Sequence, residues 1–171
     1  IHIGRLSDVA FFDPAKLNSS LRFLSIAPDL LEAGLGKVLE KIVTEVEAVN
    51  PRLVVVDSFR SVIRVSTQGE AESSLQTFVQ RLALHLTSWQ ATTFLVGEYT
   101  EAEKDHNPIF SVADGVLWLS QSVERNAVVR KLQVVKTRGQ APVPGLHTLR
   151  ITNAGITVFP RLPIPTEITA A

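Results

Sequence analysis

Hydrophobic positions along this chain keep helical spacing and buried-strand runs as far as Asp114, and beyond it they fall into short, closely spaced strand patterns. Leu31, Leu35, Val38, Leu39, Ile42, Val43 and Val46 recur at three and four, which predicts an amphipathic helix over Asp29–Val49. Asn50-Pro51 ends it. Ahead of it, Leu21–Ile26 reads as a short strand stopped by Pro28. Behind it, Leu53-Val54-Val55-Val56 is an unbroken apolar run with three β-branched residues, which predicts a strand buried on both faces. Strand, helix and strand from Leu21 to Ser58 form a candidate βαβ unit. A polar loop, Ser66–Gly69, then opens a second helix over Glu70–Trp89, with Leu75, Phe78, Val79, Leu82 and Leu86 on one face. Ala91–Val96 is a further buried strand ending in Gly97-Glu98, and a charged loop runs from Tyr99 to Asn107.

Asp114-Gly115 turns the chain into a different pattern. Val116–Leu119, Ala127–Lys136, Leu146–Thr152 and Ile156–Phe159 predict strands joined by Gly/Pro or Asn-x-Gly turns, an antiparallel extension of the sheet. The prediction is therefore an α/β fold with a mostly parallel core sheet and an antiparallel C-terminal part. Residues 1–20 are irregular, and Phe11-Phe12-Asp13-Pro14 reads as an apolar turn that needs a surface to bury against. One domain over 1–161 and an extended Pro-containing tail over 162–171 account for the chain.

Composition narrows the classes. An apolar fraction of 45% over 171 residues supports one buried core. Lys and Arg total 17 against 17 Asp and Glu, so no net field favours nucleic acid or an acidic membrane. The absence of cysteine removes disulfides and thiolate chemistry and points to the cytoplasm. No apolar run is long enough to span a membrane. The chain begins Ile1-His2-Ile3-Gly4 and contains no Met, which leads to the expectation that it represents part of a longer one. Asn18-Ser19-Ser20 matches a glycosylation sequon, of little weight without a secretory signal.

Asp57-Ser58 places a carboxylate and a hydroxyl at the carboxyl edge of the predicted sheet, where α/β folds bind ligands. This is the form of a Walker B strand, whose Asp helps hold Mg²⁺ on a nucleotide. An Asp there also caps the following turn in many α/β proteins, and the residues alone leave both readings open. The phosphate-cradling G-x-x-x-x-G-K-[ST] loop occurs nowhere in the chain. Glu98 and Asp114 lie at or near strand ends, and Glu98 can share the edge of Asp57 or be a solvated loop acid. Lys136 and Arg138 are two apart, so on a strand they leave one face. Two such cations suit a phosphate chain, and they equally suit a solvated basic edge that deters strand pairing. Arg125, Arg130 and Lys131 read as a solvated hairpin face. His2, His85, His106 and His147 show no metal-binding spacing, and His85 reads as a structural helix residue. Ser58 and Ser61 lack a nucleophile elbow, and no glycosidase dyad stands out.

The order of the pieces carries more than any one of them. LVVVDS, a helix, ATTFLVGE, ADGVLWL, VVRKLQVVKTRG and PGLHTLRITNAGITVFP together resemble the KaiC-like branch of the RecA-superfamily ATPases, from about Leu21 to Arg161. K-x-R-G with the following I-T-x-x-G-I-x-V-F-P is the most specific part. The resemblance implies a RecA-like three-layer domain, incomplete here, that assembles into rings, usually hexamers, with ATP and Mg²⁺ between subunits. It implies Asp57 as the Walker B acid at the metal, with Ser58 beside it; Glu98, by its own position, is the further cofactor-binding candidate on that edge. It implies that Lys136 and Arg138 reach the phosphates of the neighbour's ATP and act as an arginine finger does.

Two departures from the family pattern stand out. The family's P-loop and paired catalytic glutamates lie N-terminal to the matched region and have no equivalents here. Pro142 occupies the place where clock-type members often carry a His, and no Ser-Thr phosphosite pair stands out. The leading expectation is thus an ATPase domain that does not bind ATP on its own. The alternative is a non-catalytic assembly or signalling module with a regulatory protein partner. A recombinase-type DNA binder is disfavoured by the zero net charge and the lack of a basic-aromatic groove.

Overall fold

The computed structural model describes residues 9–66, 72–104 and 107–162. Most of the polar loop 66–69, Asp105, His106 and the tail from 163 lie outside the described residues. The class is α/β, with one parallel and one antiparallel sheet. The chain forms two compact units, one of Leu24–Ala113 and the other of the residues before and after it.

The first unit begins with α1 (Ala27–Val49), whose first turn carries Pro28, where its missing N–H costs nothing. The helix is interrupted at Gly34, whose φ of 74° only glycine adopts freely. Asn50 closes it in the left-handed conformation, its N–H bonded to the Val46 carbonyl at 2.8 Å. The expected strand over Leu21–Ile26 does not form. Leu21 makes an isolated bridge to Leu17, and Ile26 already serves as the N-cap of α1. A strand needs a neighbour for its ladder, and none is present among the described residues beside 22–26.

β1 (Leu53–Asp57) is followed by α2 (Phe59–Ser66), α3 (Glu72–Ser88) and β2 (Thr92–Val96). β1 and β2 pair in parallel, Leu53 opposite Thr92 through Asp57 opposite Val96. The crossover unit is therefore β1–α2–α3–β2, one connection later than the sequence pattern suggests. α2 is an element the pattern reading left out, although Phe59 and Val62 at i and i+3 become two of the most buried side chains, 1% and 2% exposed. Its run of Val62, Ile63 and Val65 carries β-branched residues that mask a helix. Leu35, Val38, Leu39 and Ile42 of α1, Phe59 and Val62 of α2, and Leu75, Phe78, Val79 and Leu82 of α3 form one core. α4 (Pro108–Val112), capped by the Asn107 side chain accepting from the Ile109 N–H at 3.1 Å, adds Ile109 to it.

The parallel strands depart from expectation in one respect. β1 is not buried on both faces: Val54 and Val56 are half-buried, whereas Leu53 and Val55 are 55% and 56% exposed. Their partners alternate alike, with Leu95 packed on the helical core and Phe94 and Val96 exposed. The reason is layer count. Double-sided burial needs a layer on each face, and among the described residues of this unit the helical core lies against the face of Val56 and Leu95.

The second unit holds β3 (Gly115–Glu124), β4 (Ala127–Thr137), β5 (His147–Thr152) and β6 (Gly155–Phe159) in one antiparallel sheet of that order. Arg125 and Asn126, both at positive φ, make the two-residue turn that fits the strand twist between β3 and β4. Val116 lies opposite Lys136 while Leu117 lies opposite Val134, so Val135 is a bulge. Among the described residues of this unit, Val116, His147 and Leu149 are buried. His147 is satisfied on both ring nitrogens: Nδ1 accepts from the Arg161 N–H at 3.0 Å, leaving Nε2–H to donate to the Val143 carbonyl at 3.1 Å. The N-terminal segment attaches through the Ala10 N–H to the Asn153 carbonyl, 2.9 Å, but Phe11 stays 69% exposed rather than burying.

Candidate functional site

The ends of β1 and β2 define an edge. Asp57 closes β1 in register with Val96, the last residue of β2, and strands so paired stand about 4.8 Å apart. Asp57 is exposed and shares the open face with Leu53 and Val55 by strand alternation. Ser58 follows it across a cis peptide bond and is half-buried, and Glu98, two residues past β2, is exposed. The parallel register therefore brings Asp57, Ser58 and Glu98 to the same carboxyl edge, where open parallel sheets hold their ligands.

Around that edge lies a network the sequence reading did not assemble. Arg60 of α2 donates to the Glu98 carbonyl and to Glu103 Oε2, the latter at 3.0 Å. Its guanidinium also sits 5.6 Å from the centroid of the Tyr99 ring. Glu103 Oε2 accepts in addition from the Thr100 N–H at 2.7 Å and the Thr100 hydroxyl at 2.8 Å. These donors, the Thr100 backbone first, hold the Glu103 carboxyl down to about 2. Burial pushes the Tyr99 phenol up, with Arg60 pulling the other way. The signal was present in the sequence as Thr100-Glu101-Ala102-Glu103, a capping box opening a helical turn.

Lys136 and Arg138 belong to the second unit. The bulge at Val135 matters here, because it moves Lys136 onto the face of Val116 and away from that of Val134 and Leu117. The ladder continues one step past β4, with the Arg138 N–H donating to the Asp114 carbonyl at 2.8 Å. Lys136 and Arg138 thus lie on the same side of the ladder, as their spacing predicts. Arg138 Nη1 also meets Asp114 Oδ1 at 2.9 Å, an exposed ion pair that spacing alone could not reveal. Lys131, read as part of a solvated hairpin face, donates to the Thr148 hydroxyl at 3.2 Å across the β4–β5 pairing.

A family model described as the KaiC ATPase matches residues 21–162. The chain belongs to the KaiC family of ATPases. The circadian clock oscillator protein KaiC of Synechococcus elongatus is 30% identical to it over 132 residues, 74% of this chain and 24% of that protein. KaiC 1 of Synechocystis is 28% identical over the same shares of each. The chain thus spans about a quarter of the length of these relatives. Among solved structures, a KaiC-like protein from Pyrococcus horikoshii superposes with a TM-score of 0.63 at 23% identity, over 75% of this chain and 58% of that one. That likeness is one of fold, the RecA type.

Proposed function

We propose that this chain belongs to an ATPase that holds ATP and Mg²⁺ between adjacent subunits of a ring, usually a hexamer. Asp57 stands on the metal side, with Ser58 and Glu98 beside it, and Lys136 and Arg138 serve the phosphates of the neighbour's nucleotide. The observation that carries this reading is the β1–β2 register, which aligns Asp57 with the end of β2 at an exposed sheet edge. Mg²⁺ keeps several waters and needs only one or two protein carboxylates, so an exposed Asp with a hydroxyl next to it fits that ion. When bound, Mg²⁺ neutralises charge on the phosphates. Arg138 contributes a planar fork and Lys136 a point charge, the two donor types that bind phosphate oxygens. In a ring, Arg138 exchanges Asp114 for phosphate, trading one exposed partner for another.

The backbone cradle and its lysine, which give a P-loop protein its hold on the phosphates, are not encoded in these 171 residues. The chain by itself therefore does not bind ATP usefully. Titrating it with Mg·ATP in a calorimeter is expected to show no binding in the micromolar range. Micromolar binding that disappears in Asp57→Ala would overturn this. The other reading, a non-catalytic assembly module, draws on the exposed apolar face of Leu53, Val55, Phe94 and Val96. A phosphate-binding loop followed by paired glutamates in the reading frame ahead of Ile1 decides for the ATPase, and a frame without them decides for the module.

A further inference from the structure

Arg60 holds three parts of the segment that leaves β2: the Glu98 carbonyl, the Tyr99 ring and the Glu103 carboxylate. Its own helix is fixed by Phe59 and Val62, both buried in the core. The far side of the segment is fixed as well. Tyr99 meets Phe110 edge-on at 5.2 Å, and Phe110 packs against the same core. Gly97 makes this possible, since a Cβ there would stand 2.6 Å from Tyr99 Cε2. A loop at a sheet edge is ordinarily among the more mobile parts of a fold. This one is tied at several points to one guanidinium.

We propose that Arg60 is a positioning residue for the nucleotide edge: by tying Gly97–Lys104 to α2 it fixes Glu98 beside Asp57. The assignment rests on the reading of that edge as the Mg·ATP side. A surface ion pair alone adds little, but one guanidinium that joins a carbonyl and a carboxylate through Nη1 and lies over a ring removes the freedom by which Glu98 would wander from the edge.

The test uses the 171-residue chain and Mn²⁺ as the probe. Tyr99 is the sole tyrosine, so tyrosine labelling gives a single ring signal in the NMR spectrum. In Arg60→Met, that signal moves toward an exposed tyrosine, and amide exchange over 98–104 speeds up about tenfold or more while α1 is unchanged. Arg60→Lys recovers only part of the protection, because it restores charge and donors without the planar guanidinium over the Tyr99 ring. Gly97→Ala displaces the ring and loosens the same segment with Arg60 in place. Paramagnetic broadening by Mn²⁺ reaches the Asp57 and Glu98 amides together in the wild type. In Arg60→Met it persists at Asp57 and fades at Glu98. The proposal is overturned if Arg60→Met leaves segment exchange at the wild-type rate, whatever Gly97→Ala does. It is also overturned if the segment loosens while Glu98 broadening does not change. Absence of broadening at Asp57 in the wild type contradicts the nucleotide reading instead, and the exchange rates still decide whether Arg60 is the tie.

Discussion

A carboxylate that accepts from a backbone N–H, a hydroxyl and a guanidinium gives up its charge only in strong acid, and Glu103 is in that position. Its folded value of about 2 lies below the ordinary 4.5, so the unfolded chain takes the proton more readily. Its contribution to holding the 97–104 segment is therefore complete above about pH 4.5 and lost as pH falls toward about 2. The groups facing it are Arg60, Thr100 and Tyr99. The single Tyr99 ring signal should shift across this interval in the wild type and show no such step in Glu103→Gln. Arg138 makes a different case. Its pair with Asp114 is open to water, so Arg138→Ala should change stability by less than about 1 kcal/mol in urea unfolding. At this scale the sequence shows which residues are chemical candidates, since Asp57, Lys136 and Arg138 stand out by type and spacing. It does not show that Arg138 meets Asp114 or that Arg60 meets Glu103, because those contacts join positions 24 and 43 residues apart.

Elements were legible where a period is long enough to identify itself. The helix over 29–49 and the strands from 115 to 159 carry clear repeats, and each forms where expected, although the first strand runs on to Glu124, five residues past its expected end. Leu21–Ile26 reads as a strand by composition but lacks a partner among the described residues, and α2 goes unassigned in the pattern because it is short and β-branched. The double-sided burial expected of β1 fails because an apolar run shows only that residues can be buried, not how many layers are present. That difference has a measurable consequence. Phe78, 3% exposed and stacked on Phe59 at 6.2 Å, should cost about 3–5 kcal/mol when replaced by Ala. Phe94, 46% exposed on the open face, should tolerate Ser within about 0.5–1 kcal/mol. Urea unfolding of the two variants checks the contrast, and equal losses would mean that something covers the face of Phe94.

Across the whole molecule, the chain carries Asp57, proposed as the metal-side acid, in one compact unit and Lys136 and Arg138, proposed to serve phosphate, in the other, and its sequence encodes no phosphate-cradling loop. A site shared between subunits explains why both sets are present in one chain, each completing a different interface. If so, loss of Arg138 should lower turnover by on the order of 10³-fold in an ATP-hydrolysing ring that contains this segment. Lys in its place should rescue poorly. The measurement that decides is turnover in rings mixed from Asp57→Ala and Arg138→Ala subunits, each inactive alone, with mixed assembly verified by native mass spectrometry. Interfaces that pair an intact Asp57 from one subunit with an intact Arg138 from the other should recover activity. Verified mixed rings that stay inactive would contradict a shared site and return Lys136 and Arg138 to the role of a solvated basic edge.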